Sequence, residues 1–317
     1  MKILITGGAG FIGSHLCKKF LDRGDRVVCI DNFITGSKEN VRGLIGNNNF
    51  TLIEHDISKP FVIEEDIDWV LHFAAIASPN DYLAHPIKTL KSGLLGTHNC
   101  LGLAKLKKAK FFLASTSEVY GDPLIHPQPE EYWGNVNTIG ERSCYDESKR
   151  GAEALTYAYH RQHNIEIRIV RIFNTYGPNM QLDDGRVVSN FIVQVLKGKA
   201  LTIYGKGTQT RSFCFVDDLI EGILKLMDIK YLLPINLGNP SEYTMLELAK
   251  KVMEITGLSS KITFFKLPQD DPKRRKPDIT KATKILKWKP RIDIDEGLKR
   301  TIEYFSKKIS LGKKEAV

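Results

Sequence analysis

Apolar positions along the chain follow two rhythms that take turns. Short runs rich in β-branched and aromatic residues occur at 2–6, 26–31, 50–54, 69–74, 111–115 and 165–173. Continuous apolar runs of this length suit strands covered on both faces. Between them, at 11–23, 87–108 and 147–162, apolar residues recur at helical spacing, as for a helix with one buried face. Strand and helix in alternation predict βαβ units, hence an α/β fold on a doubly wound parallel sheet.

Past Tyr176-Gly177-Pro178 the rhythm breaks. A short strand is predicted at 201–204 and helices at 187–196, 216–227 and 245–255, with loops between them. Residues 1–175 are expected to form the main domain and 176–317 a smaller lobe. The run at 234–237 is expected to rejoin the main sheet, so that about 214–240 interleaves with the first domain. There is no internal repeat, and Lys313 to Val317 is expected to fray.

Composition narrows the function classes. With 317 residues and 42% hydrophobic positions, the chain can bury a substantial core. No stretch of ~18 apolar residues is free of charge, so no membrane span is expected. The opening segment turns glycine-rich too early for a secretory signal. Five scattered cysteines, Cys17, Cys29, Cys100, Cys144 and Cys214, suggest neither a disulfide framework nor a metal site. A cytoplasmic location is expected. The net charge is +9, densest at Lys273-Arg274-Arg275-Lys276 and continuing at Lys281, Lys284, Lys287 and Lys289. Most of these suit a solvated surface. No nucleic-acid-binding motif accompanies them, so a small polyanion is the better partner.

Gly7, Gly8, Gly10 and Gly13 fall between the first predicted strand and the first predicted helix. Glycines there allow a tight turn and let backbone approach a pyrophosphate, while the helix N-terminus supplies free N–H donors. Asp31 closes the second strand, where a carboxylate accepts from ribose hydroxyls and repels a 2′-phosphate. Asn32, not arginine, follows it, which favours NAD over NADP. Asp56 ends the next strand within reach of an adenine. A strand-end turn is the plainer alternative for each acid, and it weighs more for Asp56 than for Asp31.

Tyr145 and Lys149 stand four apart in a helical stretch and share a face. Ser115-Thr116-Ser117 ends the preceding strand, where a hydroxyl meets a substrate alcohol. Oxidising a secondary alcohol needs a base for its proton. A tyrosine near pKa ~10 serves only if lowered by about three units, and a neighbouring Lys149 cation is expected to help do that.

The glycines, Asp31, Thr116 and the Tyr145/Lys149 pair together resemble the extended short-chain dehydrogenase/reductase family. Narrower stretches resemble its UDP-glucuronate decarboxylase branch. They are Thr116-Ser117-Glu118-Val119-Tyr120-Gly121-Asp122-Pro123, Tyr132-Trp133-Gly134-Asn135-Val136-Asn137, Cys144-Tyr145-Asp146-Glu147, Asn174-Thr175-Tyr176-Gly177-Pro178, Gln209-Thr210-Arg211-Ser212-Phe213, and Asp270-Asp271-Pro272 leading to Arg275. The resemblance implies a Rossmann-like doubly wound parallel sheet with a smaller C-terminal α/β substrate lobe. It implies NAD as cofactor, a nucleotide-sugar substrate such as UDP-glucuronate, and a homodimer. Cofactor contacts are implied at Gly7, Gly8, Gly10, Phe11, Ile12, Gly13, Asp31, Asn32, Phe33, Thr35, Gly36, Asp56, Ile57, Ala74, Tyr145 and Lys149. Substrate contacts are implied at Asn174, Arg186, Tyr204, Arg211 and Arg275.

The same resemblance implies a mechanism. Tyr145 takes the proton of the sugar C4 hydroxyl, Lys149 supports it, and Thr116 bonds the same oxygen. The 4-keto acid loses CO₂ and is reduced again. Glu118 positions water or assists ring distortion and proton delivery, and Arg275 pairs with the substrate carboxylate or the nearby sugar. Ser117 stands where 4,6-dehydratases of the family carry an acid, which disfavours dehydration. Tyr204 suits either a base-stacking role or a packed core. Departures from the branch fall at Ile76, Thr138, Glu141 and Ser148. The alternatives are a UDP-sugar or UDP-uronate 4-epimerase and a noncatalytic NAD-binding protein.

Overall fold

The computed structural model describes residues 1–266 and 274–314. The Asp270-Asp271-Pro272 stretch, Lys273 and residues 315–317 lie outside them. In chain order the first elements are β1 (Lys2–Thr6), α1 (Phe11–Asp22), β2 (Arg26–Asp31), α2 (Lys38–Val41), β3 (Phe50–Glu54), β4 (Trp69–His72), α3 (Pro79–Ala84), α4 (Pro86–Lys107), β5 (Lys110–Thr116), α5 (Ser143–His163) and β6 (Ile167–Ile172). There follow β7 (Thr175–Tyr176), α6 (Val187–Leu196), β8 (Leu201–Tyr204), β9 (Thr210–Ser212), β10 (Cys214–Phe215), α7 (Val216–Met227), β11 (Ile235–Leu237), β12 (Glu242–Thr244), α8 (Met245–Thr256), β13 (Ile262–Phe265), β14 (Arg274–Arg275), α9 (Thr280–Leu286) and α10 (Ile294–Lys314).

Seven strands form one parallel sheet in the order β3-β2-β1-β4-β5-β6-β11. This is the Rossmann-like arrangement. The alternation of side chains shows why both faces must be covered. Ile3 and Ile5 of β1 join one buried cluster, which continues into α6, α7, α8 and α10. Leu4 joins the other, under α4 and α5. Strand order reverses between β1 and β4, and a crevice opens at their carboxyl ends, the usual ligand position in such sheets.

The run at 234–237 does rejoin this sheet, as β11 beside β6. The rest of the second half forms small sheets: β12-β9-β14, β13-β8 and β10-β7. Among the described residues, no helix is long and apolar enough to cross a membrane.

Several elements differ from expectation. The strand predicted at 69–74 stops at His72, because the chain bends over the glycine turn; Ala74 N donates to the Thr6 hydroxyl at 3.3 Å. The helix predicted from residue 147 begins at Ser143. Its polar first turn carries no apolar rhythm, yet it buries Cys144 and Tyr145. At the other end of the chain, α10 continues through Lys314, into the stretch expected to fray.

Candidate active site

The crevice is walled on one side by backbone. Gly7 takes φ +69°, and a Cβ there would lie 2.7 Å from Ala74. A Cβ on Gly13 would lie 2.0 Å from the Gly7 carbonyl oxygen. Gly10 precedes α1 without a capping side chain, which leaves first-turn N–H groups to a ligand. Asp31 is buried at the rim. Its two oxygens accept from Ala9 N at 3.0 Å and Phe33 N at 2.9 Å. Burial pushes its carboxyl up, while these donors hold it back. A glycine cradle with a carboxylate beside it fits NAD: anionic phosphates at a helix N-terminus, hydroxyls at Asp31.

Gly7, Gly10, Phe11, Ile12, Gly13, Asp31, Asn32, Thr35, Ile57 and Ala74 all line the crevice. Gly8, Phe33, Gly36 and Asp56 do not. A Cβ on Gly8 would lie 2.5 Å from Cys29 Sγ, so its smallness serves packing. Phe33 shapes the turn after β2 with φ +57°. Gly36 makes room for Asp31, whose Oδ1 lies 2.6 Å from where its Cβ would be. Asp56 binds Ser58 N at 3.0 Å and Ser58 Oγ at 2.8 Å, leaving His55 and Ile57 at the wall.

The opposite wall carries side chains. Thr116, Glu118, Tyr145, Lys149, Asn174 and Arg186 meet there. Thr116 hydrogen-bonds the Tyr145 phenol. Lys149 Nζ donates to Ala114 O at 2.8 Å and lies 5.9 Å from the Tyr145 ring centre. Burial lowers Lys149 to about 8, with the Glu153 carboxylate opposing. The protein's own groups do not lower Tyr145. Burial pushes the phenol above its ordinary value, and the Glu118 charge adds to this; Thr116 and Arg186 oppose it and lose. Lys149 has spent its nearest contact on a carbonyl.

Arg275 meets Glu118 across the site. Both its terminal nitrogens bind Glu118, Nη2 at 2.8 Å to Oε2 and Nη1 to Oε1. Arg142 Nη2 donates to the same Glu118 Oε2 at 2.7 Å. Burial resists the charge, but the Arg275 and Arg142 guanidiniums prevail and hold the Glu118 carboxyl well below its usual range. At rest it is ionised and has no proton to deliver.

Of the other substrate residues, Arg186 is held by Asp184 at 2.5 and 2.6 Å. Arg211 is buried on β9, in register with Arg275 on β14, and its Nη1 donates to Thr210 O at 2.9 Å; it does not line the crevice. Tyr204 is neither in the crevice nor in the core. It is 45% exposed, with its ring 6.1 Å from Phe265. Among the departures, Ile76 lines the crevice, Thr138 and Glu141 are exposed, and buried Ser148 packs on Gly93, whose Cβ would lie 2.5 Å away.

Arg142 and Tyr82 went unassigned in the sequence. Tyr82 stacks on Tyr145 with centroids 5.5 Å apart and planes 6° apart. Arg142 stands three before Tyr145, the spacing of one helix face, a usable signal had the helix start been placed earlier. Nothing local announces Tyr82.

Known proteins share this architecture. The chain is 55% identical over 314 residues to "UDP-glucuronic acid decarboxylase 5" of Arabidopsis thaliana, covering 99% of this chain and 92% of the relative. It is 53% identical over 308 residues to "UDP-glucuronic acid decarboxylase 1" of Xenopus tropicalis, covering 97% and 73%. The solved UDP-glucuronic acid 4-epimerase of Bacillus cereus, in complex with UDP-glucuronic acid and NAD, superposes with a TM-score of 0.87 at 33% identity, covering 97% of this chain and 99% of that one. Residues 3–236 match the pattern of one family throughout, and with the glycine cradle, Asp31 and the Tyr145/Lys149 pair this makes the chain a member of the NAD dependent epimerase/dehydratase family.

Proposed function

We propose that the protein converts UDP-glucuronate to UDP-xylose and CO₂ with bound NAD. The observation that carries this is the 55% identity over 99% of the chain to a decarboxylase, against 33% for the 4-epimerase. When bound in the glycine cradle, NAD supplies the hydride acceptor for sugar C4 and is restored within each turnover. Tyr145 Oη takes the C4 hydroxyl proton and later returns it to the same oxygen. Thr116 Oγ1 orients that oxygen, and Lys149 supplies the cation that a buried phenolate needs. Asn174 and Arg186 bind the sugar side of the substrate. Ser117 offers no acid for expelling a C6 hydroxyl. Arg275 acts on the site through Glu118, which it holds ionised at the cleft edge.

The protein works as a homodimer in the cytosol. Helices α4 and α5 lie side by side at glycine distance, Gly93 on Ser148 and Gly151 on Leu94. The outward face of α4 shows Ile87 and Leu95 to solvent, an apolar surface a second copy covers. All five cysteines are free thiols, as a reducing compartment keeps them. Sedimentation at micromolar concentration is expected to give a dimer; a monomer refutes the pairing.

Proton NMR with NAD and UDP-glucuronate, alongside CO₂ detection, tests the activity. UDP-xylose with CO₂ is expected. UDP-galacturonate without CO₂ refutes it in favour of an epimerase.

A further inference from the structure

Decarboxylation consumes a proton. When CO₂ leaves C6, the C5–C6 electron pair stays in an enolate shared with C4, and C5 must be protonated before C4 is reduced. The proton that Tyr145 takes from the C4 hydroxyl returns to the C4 oxygen when hydride comes back to C4. UDP-glucuronate plus one proton gives UDP-xylose plus CO₂, so a second donor is required. Glu118, ionised between two guanidiniums, does not hold that proton at rest.

Asp146 follows Tyr145 on α5 and is only 6% exposed. Its Oδ1 has no hydrogen-bond partner among the described residues. It lines a second cavity of about 250 Å³ with Arg142, Asp122, Asn135 and Asn137. The site is polar and has room for several waters. Asn135 and Asn137 are exposed, so the cavity meets solvent. Arg142 joins the two sites, since it lines this cavity and donates to Glu118 in the crevice.

The charged and titratable groups around Asp146 come from every side. They are Glu118 after β5, Asp122 in the following loop, Tyr82 on α3, Arg275 on β14, and Arg142, Tyr145 and Glu147 on or beside its own helix. Burial and then the Glu118 charge raise the Asp146 carboxyl to about 8, against Arg142 and Arg275. This favours the protonated form of the carboxyl, whose Oδ1 has no partner among the described residues.

We propose that Asp146 is the proton reservoir of the decarboxylation. Its carboxyl passes a proton through cavity water and Glu118 to sugar C5, and is refilled from solvent through the same cavity. The role presupposes that the substrate loses CO₂.

The test is Asp146→Asn, which keeps the shape and cannot titrate. In the wild type, product formation is expected to fall as pH rises through about 8. In the variant it should be roughly tenfold or more slower at pH 7 and keep only the alkaline limb that Lys149 sets. Reduced cofactor should accumulate after substrate is added, because the return of hydride waits for C5. Infrared titration of the ligand-free wild type should show a protonated carboxyl that the variant lacks, a readout that stands even if the variant folds poorly. CO₂ release from the wild type with an unchanged rate and pH limb in the variant overturns the reservoir alone. No such carboxyl in the wild-type infrared spectrum overturns it too. No CO₂ from the wild type overturns the decarboxylase reading, and the reservoir with it.

Discussion

The two walls of the crevice are built differently. The cofactor wall is backbone: a left-handed Gly7, a Gly13 with no room for a methyl, and an Asp31 held by two amides. The sugar wall is charge: Glu118 is bound by an arginine 157 residues away in sequence and by another 24 away. The first wall fails when something intrudes. The second fails when a partner is removed, because the charge left behind is buried.

The largest effect is expected from Gly13→Ala. Its methyl must displace the Gly7 carbonyl, 2.0 Å from the built Cβ. Overpacking of this kind costs ~3 kcal/mol; when the cradle deforms to relieve it, NAD affinity falls by roughly a hundredfold. Calorimetric titration reads it, and unchanged affinity would mean that the backbone wall yields.

Glu118→Gln should cost less, about 2 kcal/mol, since an amide oxygen still accepts from one arginine while Arg275 loses its counter-charge. The deficit has a pH signature. Glu118 is depressed in the folded state, so its contribution is full above 4.5 and fades as pH falls toward about 2. Melting curves of the two proteins should therefore converge in acid. The variant should also release CO₂ more slowly while still oxidising C4. Its pH–rate profile should rise at lower pH, because the charge that raises Tyr145 is gone. Parallel melting curves from pH 7 to pH 3 would refute the clamp.

The same division explains what could be read in the sequence. The strands at 2–6, 26–31 and 50–54 match β1, β2 and β3 to the residue, because continuous apolar runs bounded by turn residues are local signals. The glycine spacing and Asp31 lie within one βαβ unit, and local pattern sufficed there too. Tyr145 and Lys149 needed only helical spacing. Arg275 and Glu118 were each singled out, but not as partners, since ion pairs across 157 positions leave no trace in a single sequence. The exposure of Tyr204 was not legible, because it sits on a two-strand sheet whose other strand, β13, comes about sixty residues later. The start of α5 was placed too late because its first turn is polar outside and functional inside.

One edge of the main sheet carries a kinetic cost. Strand β11 adds to β6 only after the whole segment from β7 to α7 has been made, so the sheet cannot be finished early. Closing so long a loop is slow, and until it closes β6 keeps a bare, apolar edge ready to pair with another molecule. A chain stalled or cut before Ile235 therefore becomes a sticky fragment and not a smaller working unit.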